Sequence, residues 1–97
     1  MAETFINTVL VRITTSSPEY KIASLIASRL ASEDQTKTFI VLNTVNGELS
    51  IRGILTNYVI AKLSNKYKIG GHPAFGGGKI PLDKINEFVR DVRSLRL

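Results

Sequence analysis

The stretch Thr38-Phe39-Ile40-Val41-Leu42-Asn43-Thr44-Val45-Asn46-Gly47-Glu48-Leu49-Ser50-Ile51-Arg52-Gly53 decides the fold. Phe39, Ile40, Val41 and Leu42 are apolar without interruption, which predicts a strand over Thr38 to Thr44 covered on both faces. Asn46-Gly47 predicts a type I′ hairpin turn, because both central residues of that turn take positive φ. Glu48 to Gly53 is then the returning strand. Its alternation puts Leu49 and Ile51 on one face and Ser50 and Arg52 on the other.

Upstream, Thr8 to Ile13 (TVLVRI) is β-branched and apolar and predicts another strand. Ser16-Ser17-Pro18-Glu19 predicts a helix start, with a capping hydroxyl, a proline suited to the first turn and an acid three residues after Ser16. Ile22, Leu25, Ile26 and Leu30 follow at helical spacing as a buried stripe, and the helix should stop near Ala31 to Glu33. Downstream, Thr56 or Asn57 caps a second helix along which Tyr58, Ile60, Ala61, Leu63 and Ser64 lie. A glycine-rich loop runs from Gly70 to Gly78, and Lys79-Ile80 forms a short strand. Pro81 opens a third helix with Leu82, Ile85, Phe88, Val89 and Val92 on its inner face. The order β-α-β-β-α-β-α predicts an α/β fold: a mixed β-sheet with an internal hairpin and helices packed on it, in one domain over residues 1–97.

Composition narrows the function classes. The 97 residues are 43% hydrophobic and include no cysteine, so disulfides and thiolate metal sites are excluded. The N-terminal residues lack the pattern of a secretory signal, and no apolar run is long enough to cross a bilayer, so the expectation is a soluble, cytoplasmic protein with no membrane partner. Thirteen Lys and Arg against eight acids give a net charge of +5. That surplus suits a polyanionic partner, although many small basic domains bind nothing charged. A domain this small is thinly covered by its own fold, which leaves room for a homo-oligomer or a docked partner.

The segment Gly70 to Gly78 is the most informative for function. Five of its nine residues are glycine, against two in the rest of the chain. Glycines expose backbone N–H groups and let a ligand approach closely, and successive amides can cradle an anion. His72, the single histidine, can donate to a phosphate or a base edge. Phe75 can stack on an unpaired base. A plain connector, a surface histidine and a core phenylalanine would leave the same residues in the sequence. Lys66 and Lys68 lead into the loop and would extend an electrostatic track. Arg90, Arg93 and Arg96 read as a solvated helix face near a helix C-terminus.

The residues from Gly70 onward resemble the GGGHxxAAG motif of the domain that follows the DHH catalytic domain in RecJ-type phosphoesterases. Gly70, Gly71 and His72 match its glycines and histidine, and Gly77 its closing glycine. Ser50-Ile51-Arg52 looks like the family's Ser-x-Arg strand. Ile26 to Leu30 and Ile80 to Phe88 are also alike, so the resemblance runs from about Val9 to Val92. A related domain ends alanyl-tRNA synthetases. Ile69, Phe75, Gly76 and Gly53 depart from the pattern. The resemblance implies a domain that grips nucleic acid, with Arg52 and His72 contacting phosphate or a terminal nucleotide.

The expected function is therefore a non-catalytic module binding single-stranded DNA or RNA through Ser50, Arg52, Lys66, Lys68, Gly70, Gly71, His72, Phe75, Gly76 and Gly77. No cofactor or metal is implied: Asp34, Asp83 and Asp91 are scattered, and one histidine cannot build a dinuclear centre. Ser50 with His72 lacks a nucleophile-elbow context. The alternatives are a protein-interaction module of a replication or repair assembly, docking on a replisome protein or on a separate catalytic DHH polypeptide; a lone phosphoesterase; and a binder of a small nucleotide.

Overall fold

The computed structural model describes residues 2–16, 21–72 and 75–97, with the backbone alone at His72. Six strands form one mixed sheet in the order β1-β2-β3-β4-β6-β5. They are β1 Ala2–Thr4, β2 Thr8–Ile13, β3 Thr38–Asn43, β4 Glu48–Arg52, β5 Ile69–His72 and β6 Phe75–Lys79. Only β2 and β3 run parallel, joined through helix α1 (Ile22–Glu33); every other pairing is antiparallel. Helix α2 is Thr56–Leu63, and a 3₁₀ turn at Leu82–Lys84 leads into α3 (Ile85–Leu95). The expected α/β class and mixed sheet are observed, with two strands, β1 and β5, beyond the expected order, and the short strand expected at Lys79-Ile80 is instead β6, which starts at Phe75 and ends at Lys79.

β3 is buried at all six positions, as its unbroken apolar run requires of a strand sandwiched between helical layers. One sheet face presents Leu10, Ile40, Leu42, Leu49 and Ile51 to Val59 and Leu63 of α2 and Phe88, Val89 and Val92 of α3. The opposite face packs Val41 against α1 through Ala23 and Ala27. Alternation in β4 runs as expected: Leu49 and Ile51 enter the main core and Ser50 lies buried on the other side.

Several local expectations are corrected. The β3–β4 turn is a hairpin but not type I′. Only Gly47 has positive φ (80°), and its N–H donates to the Asn43 carbonyl across a longer loop. A Cβ at Gly47 would also collide with the Ile80 carbonyl, which fixes glycine there. The capping box falls mostly on residues 17–20, outside the described residues; the helix itself begins at Ile22. Its buried stripe is Ala23 and Ala27 rather than Leu25, which is 60% exposed, because small side chains let α1 lie close on the sheet. In α2 the buried residues are Thr56, Val59 and Leu63, while Tyr58 and Ala61 face out. Thr56 is not the cap: its hydroxyl donates to the Gly53 carbonyl from the first helical position. Leu82 is exposed, and α3 proper starts three residues later.

The largest correction concerns the glycine segment, which is a β-hairpin and not a loop. β5 and β6 pair from Ile69↔Gly78 to His72↔Phe75, and β6 pairs on its other side with β4. Glycine suits these strands because the backbones are crowded. A Cβ at Gly77 would sit 2.6 Å from the Leu49 carbonyl oxygen, and one at Gly78 would sit 2.3 Å from that of Lys68. A strand bonded on both sides spends its amides on the ladder, so the β6 glycines form no nest of free N–H groups.

Candidate functional site

Register in the sheet assembles the site. Residues opposite one another in an antiparallel pair share a face, so Ser50↔Gly77↔Gly70 and Arg52↔Phe75 form two cross-strand rows beside α1. Gly77 carries no side chain there, and a cavity of about 440 Å³ opens between the sheet and the start of α1. Lys21, Ser24, Ser50, Arg52, Phe75 and Gly77 are among its lining residues. Gly76 lines it through its backbone, while a Cβ at that position would meet Ile60 of α2.

Arg52 lines this cavity. Its Nη2 donates to the Ser24 hydroxyl at 3.1 Å, and its guanidinium carbon sits 4.8 Å from the centroid of the Phe75 ring. Its Nε is buried with no protein partner. A guanidinium carries five N–H donors, and leaving a buried one unsatisfied costs about 1–3 kcal/mol. The aromatic contact and the serine fix the group's orientation and leave it donor capacity, which is the condition an incoming oxyanion needs. Phe75 remains 40% exposed.

Charge around the cavity is mixed but cationic. Among the described residues Lys21 and Lys79 join Arg52, against one carboxylate, Glu48, which stands opposite Lys79 in the β4–β6 register. Among the described residues the first turn of α1 holds no acid. Among the described residues no group of three His, Asp or Glu is placed to hold a metal ion.

Of the ten residues singled out from sequence, Ser50, Arg52, Phe75, Gly76 and Gly77 line this cavity together. Gly70 and Gly71 stand on the adjacent edge strand, with Gly71 at φ 150°. His72 pairs with Phe75 by backbone; its side chain lies outside the described residues. Lys66 and Lys68 do not join the cavity. They line a neighbouring one of about 300 Å³ with Tyr67, Lys79, Pro81 and Lys84. Lys66 is also committed elsewhere: its Nζ lies 2.9 Å from Glu87 and 3.0 Å from Asp91. Those bonds hold its pKa above the ordinary lysine value and that of Glu87 below the usual carboxylate value, while Asp91 is held low first by the Tyr67 hydroxyl and then by Lys66. Tyr67 donates to Asp91 at 2.5 Å, and burial first, then that bond, pushes its pKa up. Lys21, Ser24, Glu48 and Lys79 are cavity residues that sequence reasoning missed. The usable signal was position: Lys21 and Ser24 open the helix after the first parallel strand, where α/β sheets place ligands.

The chain matches the family model described as DHHA1 domain over residues 6–95. No curated protein sequence matches it closely enough to count as a relative. Among solved structures it is similar to RecJ from Thermus thermophilus in complex with Mn²⁺, at a TM-score of 0.65 and 13% identity, covering 90% of this chain and 14% of that one. It is also similar to the C-Ala domain of Aquifex aeolicus alanyl-tRNA synthetase, at 0.63 and 19%, covering 99% and 97%. An uncharacterized protein from Helicobacter pylori follows at 0.53 and 16%, covering 94% and 27%. The chain thus spans about one seventh of RecJ and nearly the whole of the C-Ala domain. At these identities the structural likeness establishes a shared fold, and the family match over 90 of 97 positions establishes membership: the chain belongs to the DHHA1 domain family.

Proposed function

We propose that this chain is a non-catalytic module that binds single-stranded DNA or RNA in the cavity around Arg52, with the glycine hairpin as its floor rather than as an amide nest. The observation that carries the reading is Arg52 itself, whose guanidinium is oriented by Ser24 and Phe75 in the lining of the cavity. A phosphate oxygen is the ligand that such a group matches, since a planar fork binds it bidentately. Lys21 and Lys79 supply the long-range attraction that makes backbone binding salt dependent. Phe75 offers an aromatic surface to a base, which favours unpaired strands over duplex. Ser50, Gly76 and Gly77 shape the walls, Gly70 and Gly71 stand on the edge strand beside them, and the family resemblance adds His72 as a further donor. Catalysis, where it accompanies this module, would belong to a separate DHH polypeptide or domain.

The test is fluorescence anisotropy of labelled single-stranded DNA, single-stranded RNA and duplex DNA at two salt concentrations, with His72→Ala beside the natural chain. Salt-sensitive binding of a single strand in preference to duplex is expected. Absence of binding to all three at low salt would overturn the reading and favour a protein-interaction module.

A further inference from the structure

A second cavity, of about 490 Å³, adjoins the first and shares one lining residue with it, Arg52. It lies along the later part of α1, lined by Ser28, Ala31, Gln35, Lys37, Gly53 and Ile54. The first cavity meets the start of α1 at Lys21 and Ser24, so the two form successive stations along the helix with Arg52 between them.

Their chemistry differs. Ile54 is 74% exposed and presents an apolar wall beside Ala31. The Lys37 ammonium donates to the Ile6 carbonyl at 2.6 Å, so it is already engaged. Among the described residues no carboxylate lines this cavity; Gln35 contributes an amide and Ser28 a hydroxyl. An apolar wall with a few neutral hydrogen-bonding groups suits a flat heterocycle better than a phosphate. The volume falls within the ~300–1,000 Å³ usual for small-ligand clefts.

We infer that this cavity takes the base of the nucleotide adjoining the one held in the first cavity, with Arg52 at the phosphodiester between them. The domain then recognises two successive nucleotides as its minimal ligand. This rests on the nucleic-acid reading above and goes beyond it in naming the second subsite and its occupant.

The experiment is an NMR titration of the ¹⁵N-labelled chain with three probes: the mononucleotide deoxyadenosine 3′,5′-bisphosphate, which carries a phosphate on both sides, the 5′-phosphorylated dinucleotide of deoxyadenosine, and the same dinucleotide with its second base removed. Burying roughly 55 Å² of the second base against Ile54 and Ala31 should tighten binding about tenfold. The dinucleotide alone should shift the Ile54 and Gln35 amides. Removal of the second base, or Ile54→Ser, should cut the dinucleotide-to-mononucleotide ratio to about twofold or less. Equal binding of mononucleotide and dinucleotide overturns the inference while leaving the Arg52 site intact. A tenfold gain that survives base removal also overturns it, because the gain then comes from charge alone. If none of the probes binds, the nucleic-acid reading fails and the inference falls with it.

Discussion

Replacing Tyr67 with phenylalanine keeps the ring and deletes one hydroxyl at the junction of α2, β5 and α3. Tyr67 is 3% exposed, and its ring meets Phe88 edge-on at 5.1 Å, a contact the variant retains. What disappears is the 2.5 Å hydrogen bond to Asp91. A bond to a charged acceptor contributes about 1.5–3 kcal/mol. Asp91 keeps its contact with Lys66 and is 28% exposed, so water offsets part of the loss, and about 1–2 kcal/mol is expected. For a domain of this size that lowers Tm by roughly 4–8 °C per kcal/mol. The pH dependence adds a second signature. Tyr67 is protonated more readily in the folded state than in the unfolded chain, so its contribution is complete below the ordinary tyrosine pKa and fades as pH rises beyond it. Asp91 and Glu87 have lowered pKa values, so theirs is present above the ordinary carboxylate pKa and fades as pH falls. Urea unfolding followed by circular dichroism should show a constant gap between natural chain and variant from about pH 5 to 9 that narrows at both extremes. A gap below about 0.5 kcal/mol at every pH would refute the view that this cluster ties the helices together.

The same cluster predicts that Lys66→Gln lowers stability and leaves nucleic-acid affinity within about twofold, since its charge is already paired; Lys79→Gln should reduce the salt slope by about 0.7, both read by anisotropy. Gly70→Ala meets no atom within 4 Å and should be neutral or stabilising by up to ~1 kcal/mol, whereas Gly76→Ala drives a Cβ to 2.5 Å from Ile60 and 2.9 Å from the Gly70 carbonyl and should cost about 1–3 kcal/mol in urea unfolding. Ala27→Leu should cost about 1–3 kcal/mol by overpacking α1 against the sheet, while Leu25→Ala should cost less than about 0.5 kcal/mol, as thermal unfolding will distinguish.

Those contrasts mark where sequence and structure parted. The β3–β4 hairpin was legible because an unbroken apolar run and strict alternation have one reading each in a sheet. Leu25 and Ala27 were not distinguished, because periodicity counts large apolar residues and overlooks that a helix lying close on a sheet must present small ones. The glycine hairpin was read as a loop because glycine lacks strand propensity; crowding from Leu49 and Lys68, which only the assembled sheet creates, is what requires it. At the cavity, Ser50 and Arg52 were recoverable from face alternation and family resemblance, Gly77 from the resemblance, and Phe75 and Gly76 only from the glycine-rich segment that holds them. Lys21, Ser24 and Lys79 were not, because they enter through the placement of α1 and the end of β6. Lys66 was misleading for the opposite reason: its carboxylate partners lie more than twenty residues along the chain.

Arg52→Ala tests the central claim most directly. The variant removes the guanidinium and with it a buried, unpartnered donor, so circular dichroism and the urea midpoint first establish that the fold is retained. Anisotropy with a labelled single strand should then show affinity reduced about 10- to 150-fold, the equivalent of a charged hydrogen bond, and a salt slope shallower by about 0.7. A folded variant that binds with unchanged affinity and slope would contradict the assignment of this cavity as the nucleic-acid site.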